Sequence, residues 1–166
     1  MARIALPDGD GPEALRALAL RPYLAKAVNA MEVAVAKSGL DHRLHELVRM
    51  RIAHINQCTV CMDWRNSTWL DDEQLLANVA DWASAPGYTD TERVALEYAE
   101  RFSTDSANID DDLLERLGRH LDAGEIVELT LVIGKYVSMG RFMQVLGLDQ
   151  TCNLQFDEAG TVVVHA

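Results

Sequence analysis

The stretch DHRLHELVRMRIAHINQCTVC, residues 41–61, decides how the chain folds. Apolar side chains recur at the spacing of one face of an amphipathic α-helix, at Leu44, Val48, Ile52 and Ile55. Asp41 has a side chain that helix N-caps prefer, so a helix is predicted from about residue 41 to residue 57. The segment CTVC then opens a second helix, and the two are predicted to form a helical hairpin.

Helix start signals recur along the rest of the chain. They consist of an Asp or Thr followed three positions later by Glu or Gln, as at Asp71/Gln74, Thr89/Glu92 and Asp122/Glu125. The predicted helices span about residues 13–20, 22–38, 41–57, 59–69, 72–83, 89–103, 110–120 and 123–146. We therefore expect an all-α protein that forms a single domain over residues 1–166.

The last predicted helix is apolar on almost every face between residues 126 and 146. Such a helix is buried on most sides, either at the centre of the protein or at a contact between subunits. Gly134 and Gly140 weaken the helix relative to alanine but would let a neighbouring backbone come close. Gly147 is expected to cap its end. The β-branched run in residues 160–165 has no evident partner strand, so no secondary structure is predicted for it.

Charge and composition exclude several classes of function. The chain carries 15 Lys and Arg against 26 Asp and Glu, and this net charge of -11 repels nucleic acid and anionic membranes. The apolar run 129–139 is interrupted by Lys135 and is shorter than the ~20 residues of a membrane-spanning helix. Residues 1–8 have too short an apolar stretch for a signal peptide. We expect a cytoplasmic protein.

The three cysteines are too few for a disulfide framework in a chain with no export signal. Cys58 and Cys61 are close enough in sequence for their sulfurs to bond. They are predicted in the first turn of a helix, where unpaired amide groups and the helix dipole favour a thiolate. Such a pair can attack a peroxide or a disulfide and then resolve the product. Cys152 is interpreted as a buried or incidental thiol.

Two residues on the preceding helix are candidate proton acceptors for this pair. Glu46 lies twelve residues before Cys58, on the side of the helix that adjoins the apolar stripe. In a hairpin its carboxylate would lie near the thiols, where a partly desolvated acid suits general-base catalysis. His54, four residues before Cys58, is a second candidate base. A zinc site would need two more ligands, and because there is no second cysteine pair or spaced histidine pair we expect no metal and no cofactor.

The sequence around this pair resembles the carboxymuconolactone decarboxylase and alkylhydroperoxidase D (AhpD) family. It has Glu46, eleven intervening residues and then the Cys58-x-x-Cys61 motif, and residues 92–99 and 125–130 are similar to the helices that follow in the family. The Glu spacing and the flanking helices make this combination more specific than the cysteine spacing alone.

The resemblance implies a fold and a division of the chain. It covers about residues 20–147, which would form an AhpD-like helical bundle with the Cys-x-x-Cys motif at the start of a helix. Residues 1–19 would be an N-terminal extension and residues 148–166 a C-terminal tail. The family further implies a homo-oligomer, often a trimer or a hexamer.

For function, the resemblance implies an antioxidant enzyme with peroxiredoxin-type activity that reduces a peroxide or another small molecule. Cys61 would attack the peroxide, Cys58 would resolve the product, Glu46 would relay protons, and a partner protein would supply electrons. The position of the family's relay histidine, four residues after the second cysteine, is Arg65 here. An arginine does not shuttle protons, but its charge could stabilise a thiolate or pair with Glu46, and His54 could substitute as the base.

Two other hypotheses stay open. A carboxymuconolactone decarboxylase-like enzyme would bind a small acidic lactone, for which Arg49, Arg51 and Arg65 are the nearest basic groups. That chemistry has no evident use for two thiols. A non-enzymatic redox sensor would instead change its assembly or its partner when the cysteine pair is oxidised.

Overall fold

The computed structural model describes residues 2–64, 66 and 68–148, together with the backbone of residues 155–156 and 162–163. Its α-helices are α1 (Glu13–Ala19), α2 (Pro22–Ala36), α3 (His42–Ile55), α4 (Thr59–Asp63), α5 (Glu73–Ala77), α6 (Asp90–Asp105), α7 (Asp111–Gly118) and α8 (Ala123–Leu146). Short 3-10 turns follow α5 at Val79–Asp81 and α6 at Ser106–Asn108. The predicted all-α fold is confirmed.

The tail contains one small element that was not predicted. Strand β1 (Gln155–Phe156) pairs antiparallel with β2 (Val162–Val163), which supplies the partner strand that the β-branched run lacked in the sequence. Cys152 lies outside the described residues.

Most helix starts form as the sequence predicts. Both reciprocal capping boxes are present, Thr89 with Glu92 and Asp122 with Glu125. The Asp41 carboxylate accepts a hydrogen bond from the Leu44 amide at 2.9 Å and so caps α3. The start of α5 is one residue later than predicted, because Asp72 rather than Asp71 accepts the Leu75 amide.

Helix α3 occupies the centre of the protein and packs against α6 and α8. Fully buried aliphatic side chains from all three helices fill the contacts, among them Leu47, Ile52, Leu96, Leu129 and Ile133. Each such side chain contributes roughly 1.5–3 kcal/mol by leaving water. Helix α3 therefore occupies the centre of the protein, which was one of the two positions predicted for α8.

Helices α2 and α8 leave apolar side chains in solvent. Val35 is the one buried residue of α2, and the Tyr23 side chain is 69% exposed. In α8 one face is buried, but Val127 and Leu131 on the other face are 58% and 55% exposed. The prediction that α8 is buried on most sides is thus wrong within a single chain. None of the described helices is both long enough and apolar enough to cross a membrane.

The N-terminal segment lies against the end of α8. The Arg3 amide donates to the Leu146 carbonyl at 2.8 Å, and the Arg3 guanidinium donates to the Val145 carbonyl at 3.2 Å. Ala14 of α1 packs in a small apolar cluster with Cys58 and Met143. Residues at the start of the chain therefore cover one side of the cysteine pair.

Helix α4 is much shorter than predicted. The sequence predicts a helix through residue 69, but α4 ends at Asp63 and Trp64 has an extended backbone. The carbonyl oxygens of Cys61 and Trp64 accept hydrogen bonds from the guanidinium of Arg49, at 2.7 and 2.9 Å. A side chain from α3 thus takes carbonyls that backbone amides would bind in a longer helix.

Candidate active site

The cysteine pair follows a tight turn at the end of α3. The Cys58 amide donates to the Ala53 carbonyl and the Gln57 amide to the His54 carbonyl, each at 3.1 Å, which are the two hydrogen bonds of a Schellman motif. Gln57 has a φ of 52°, in the left-handed region that usually favours glycine. Cys58 is the N-cap of α4, and Cys61 is its third residue. The prediction that both thiols lie in the first turn therefore holds for Cys61, while Cys58 comes just before the helix.

The two cysteines form a disulfide, with their Cα atoms 5.2 Å apart. Cys58 is completely buried, in contact with Val60 and Met143. Cys61 is only partly buried. A molecule that approaches from solvent therefore has better access to Cys61 than to Cys58.

Glu46 lies beside this pair in a buried ion pair with Arg49. The Arg49 Nη2 and Nε atoms donate to Glu46 Oε1 and Oε2 at 2.6 and 2.7 Å. The exposed fractions of the two side chains are 0% for Glu46 and 3% for Arg49. Such a bidentate, charge-assisted pair fixes the carboxylate in one orientation. The backbone amide of Asn66 adds a longer hydrogen bond to Oε1, at 3.4 Å.

Arg49 joins Glu46 to helix α4. Its Nη1 atom donates to the Cys61 carbonyl, and its guanidinium carbon lies 4.5 Å from the centre of the Trp64 ring. A single guanidinium group therefore separates the Glu46 carboxylate from the backbone of Cys61. The hairpin of α3 and α4 thus places the Glu46 carboxylate and the Cys61 backbone on either side of the same guanidinium.

His54 and Arg65 are the other two residues that were predicted to belong to the site. His54 lies in the last turn of α3, is partly exposed, and uses its carbonyl in the turn that precedes Cys58. Arg65 lies outside the described residues. Their roles stay predictions.

His45, which no partner pattern in the sequence singled out, is buried next to Glu46 in the chain. Its Nε2 atom is 3.1 Å from the Tyr136 hydroxyl, its Nδ1 atom is 3.3 Å from the Ser38 hydroxyl, and its ring lies 4.6 Å from the ring of Trp69. Burial, followed by the nearby charge of Lys135, lowers the pKa of His45 to about 3. The imidazole is therefore neutral at pH 7. Its spacing of four residues from Arg49, which puts both on one side of α3, is the sequence signal that was available.

A lysine of α8 belongs to the same buried region. Lys135 Nζ is 2.5 Å from a Glu32 carboxylate oxygen and 4.0 Å from the centre of the Tyr136 ring. Burial lowers the pKa of Lys135 and raises that of Tyr136. We call Glu32, Ser38, His45, Lys135 and Tyr136 the His45 cluster, and it ties α2 and α3 to α8.

Asn56 anchors the turn before Cys58 to α8. Its Nδ2 atom donates to the Tyr136 carbonyl at 3.1 Å, while its buried Oδ1 has no hydrogen-bond partner among the described residues. A Cβ atom added to Gly140 would overlap this side chain, with Asn56 Cγ only 3.1 Å away. The expected close approach at Gly140 is thus present, made by a side chain rather than a backbone. At Gly134, where a Cβ would meet nothing within 4 Å, the expectation is wrong.

Two of the basic residues that lie near the pair in the sequence are bound to acids. Arg49 binds Glu46, and Arg51 lies 2.8 Å from a Glu100 carboxylate oxygen. In the part of the chain that the structure describes, no three His, Cys, Asp or Glu side chains come together in a way that could hold a metal.

Fold and site together define a class: an all-helical protein with a Cys-x-x-Cys disulfide beside a buried acid from the preceding helix. Comparison with solved structures gives that class its family. A protein of unknown function from Agrobacterium tumefaciens, whose name relates it to the antioxidant defence protein AhpD, has 30% identity to this chain and a TM-score of 0.70. The match covers 79% of this chain and 92% of that one. The chain therefore belongs to the AhpD-like family, which confirms the resemblance seen in the sequence.

Two further comparisons found proteins similar to this chain. A peroxidase-related protein from Silicibacter sp. TM1040 shares the fold, with a TM-score of 0.75 at 20% identity over 89% of this chain and 90% of that one. The uncharacterized Escherichia coli K12 protein YnjA is 40% identical over 110 residues, which make up 64% of this chain. The chain spans 60% of the length of YnjA. No protein-family model matches the sequence.

Proposed function

We propose that the protein is a thiol-dependent peroxide reductase that cycles Cys58 and Cys61 between dithiol and disulfide. The observation that carries the proposal is the disulfide between a buried and a partly accessible cysteine, with Glu46 one guanidinium group away. The names of the two solved relatives, one linked to antioxidant defence and one to peroxidases, support the same class of activity.

In the first step the more accessible sulfur attacks. The Cys61 thiolate bonds to one oxygen of the hydroperoxide, the O–O bond breaks, and the alkoxide leaves and takes up a proton to become an alcohol. Cys61 is then a sulfenic acid. We assign the attack to Cys61 because Cys58 is fully buried.

In the second step Cys58 resolves the product. Its thiolate attacks the Cys61 sulfur, the disulfide forms and water leaves. A dithiol on a reducing partner protein then returns two electrons and two protons and is itself oxidised to a disulfide. The cycle uses no bound cofactor.

Glu46 is the proposed proton relay. In the disulfide state both of its oxygens accept from Arg49 and Oε1 also accepts from the Asn66 amide, but an ionised carboxylate has about four acceptor positions, so one stays available for a thiol or a water. We propose that Glu46 takes the Cys61 thiol proton and returns one to the leaving alkoxide. His54 is the proposed second base, and the proposed role of Arg65 is to stabilise the thiolate.

Peroxide turnover with cysteine variants tests the function. With an organic hydroperoxide and a dithiol reductant, Cys61→Ser should lose turnover, because the attacking sulfur is gone. Reduced Cys58→Ser, given the peroxide without the reductant, should consume one equivalent and stop at the Cys61 sulfenic acid, because Cys58 is no longer there to resolve it. Cys152→Ser, the matched control at the third cysteine, should keep turnover. Unchanged turnover in Cys61→Ser would refute the proposal.

The same assay separates the alternatives. Oxidation of the pair without sustained turnover would favour a redox sensor over an enzyme. A carboxymuconolactone decarboxylase-like enzyme that bound an acidic lactone through Arg49 or Arg51 would have to release that arginine from its carboxylate, while Arg65, the third candidate, lies outside the described residues. Nothing in the described site favours that second role.

A further inference from the structure

Arg49 has contacts that the proposed chemistry does not by itself require. The carboxylate of Glu46 occupies one edge of the guanidinium, formed by Nε and Nη2, while the Cys61 carbonyl is bound by Nη1 at the other side. The cation therefore lies between the Glu46 anion and the backbone of Cys61. The positive end of the pair therefore contacts the main chain of Cys61.

This orientation brings a charge close to the reacting sulfur. A carbonyl oxygen lies within about 5 Å of the sulfur of the same cysteine, so the Arg49 guanidinium lies within roughly 8 Å of Cys61 Sγ. Both side chains of the pair are buried, so solvent screens their charges weakly. A positive charge at this distance favours a thiolate over a thiol.

We propose that Arg49 is a positioning residue of the dithiol site, which holds the Cys61 backbone and keeps the positive end of the Glu46–Arg49 pair toward the Cys61 sulfur. The inference rests on the proposed function, in which Cys61 attacks as a thiolate. The planar fork of arginine suits the task because it binds the carboxylate with two donors and still has donors for the carbonyls of Cys61 and Trp64.

The acidity of the Cys61 thiol tests this proposal directly. In a Cys58→Ser/Cys152→Ser background Cys61 is the remaining cysteine of the three, and its alkylation by iodoacetamide can be followed against pH. Glu46→Gln removes the anion and leaves the cation, so the midpoint of alkylation should fall by about half a pH unit, roughly a threefold faster reaction at pH 7. Adding Arg49→Met to Glu46→Gln removes the cation too, and the midpoint should rise again by at least as much.

The exposed ion pair of α7 provides the control. Glu115 and Arg119 form an i,i+4 pair at 2.8 Å on the surface. Glu115→Gln, alone and with Arg119→Met, makes the same charge changes and should leave the midpoint of Cys61 alkylation where it is. Equal midpoints in Glu46→Gln and Glu46→Gln/Arg49→Met would overturn the proposal, since Arg49 would then only support the backbone.

A second variant covers the case in which the double variant does not fold. Arg49→Lys keeps the charge, but its compact ammonium cannot bind the carboxylate with a fork and also reach the Cys61 carbonyl. The ammonium should stay with Glu46, and the alkylation midpoint should rise by about half a pH unit. An unchanged midpoint in folded Arg49→Lys would also overturn the proposal.

Peroxide turnover of the unmodified chain, measured in parallel, separates the two claims. Shifted midpoints without any turnover would contradict the proposed function and leave the role of Arg49 intact. Peroxide turnover together with equal alkylation midpoints in Glu46→Gln and Glu46→Gln/Arg49→Met would contradict the role of Arg49 but not the proposed function.

Discussion

Helices α2 and α3 are of similar length and opposite character. Helix α3 contains charged residues and histidines along its whole length, yet nine of its 14 residues are buried. Helix α2 is mostly apolar, yet one of its 15 residues is buried. Judged by apolar content alone, α2 would be the more buried of the two helices.

This difference shows that the burial of these two helices depends on the contacts that their side chains make rather than on how apolar the helices are. The two buried charges of α3, Glu46 and Arg49, are tolerated there because each is paired with the other. In α2 the apolar side chains of Tyr23, Leu24 and Met31 are exposed within one chain. We propose that α2 packs against another copy of the chain, in line with the homo-oligomer that the family resemblance implies.

The largest expected effect on stability comes from breaking the buried pair of α3. Arg49→Met leaves the Glu46 carboxylate buried and unpaired, and should lower the free energy of unfolding by about 3–5 kcal/mol. Denaturant unfolding measures this loss. Arg119→Met, which breaks an exposed pair, should change stability by no more than about 1 kcal/mol. Equal losses in the two variants would show that burial of the pair is unimportant.

The next largest effect concerns the pH dependence contributed by His45. Its pKa is about 3 in the folded protein, while an unfolded histidine has its ordinary value near 6.5. Between these values the unfolded chain binds a proton that the folded chain does not, so stability falls as pH falls, by about 1.4 kcal/mol per pH unit.

Unfolding at pH 6.5 and pH 5 tests this dependence. His45→Gln should lack it and lose about 2 kcal/mol less stability than the unmodified chain over this interval. His120→Gln, at an exposed histidine, should follow the unmodified chain. If His45→Gln and the unmodified chain lose stability in parallel, the imidazole is not held neutral.

A smaller effect is expected where α8 meets the end of α3. Gly140→Ala should destabilise the protein by about 1–3 kcal/mol, because its Cβ would overlap the Asn56 side chain that anchors the turn before Cys58. Gly134→Ala on the same helix has open space and should stabilise by up to ~1 kcal/mol. Thermal unfolding of both variants checks this, and a stabilising Gly140→Ala would contradict the close contact.

The smallest effect on the fold of the chain is expected on α2. Leu24→Glu puts a charge on an exposed apolar side chain, so the helix content should not change while an assembly that covers α2 should dissociate. Light scattering gives the mass and circular dichroism the helix content. Asn29→Glu, at an exposed polar position of the same helix, is the control. An unchanged mass in Leu24→Glu would show that this face does not hold the assembly together.

The features that the sequence predicted well depend on local interactions. The start of α6 follows from Thr89 and Glu92, whose capping box is completed within four residues. The proximity of Glu46 to the cysteine pair follows from a single helical hairpin. The roles that the family resemblance implies for individual residues stay predictions.

The features that were missed depend on contacts between distant parts of the chain. Helix α4 ends early because Arg49, twelve residues before Cys61, takes its carbonyl. His45 was missed because its partner Tyr136 lies 91 residues further along the chain. Spacing within α3 puts His45 and Arg49 on one side of the helix, but it cannot identify their partners, since these depend on how α3 packs against other elements.

The central claim is that a hydroperoxide converts the Cys58/Cys61 dithiol into a disulfide. Titration of free thiols in the reduced chain, before and after one equivalent of an organic hydroperoxide, with peptide mass mapping of the product, tests it most directly. The account predicts that two thiols are lost for each peroxide consumed, in a single Cys58–Cys61 link that leaves Cys152 free. Three thiols that survive the peroxide, or a link that includes Cys152, would contradict it.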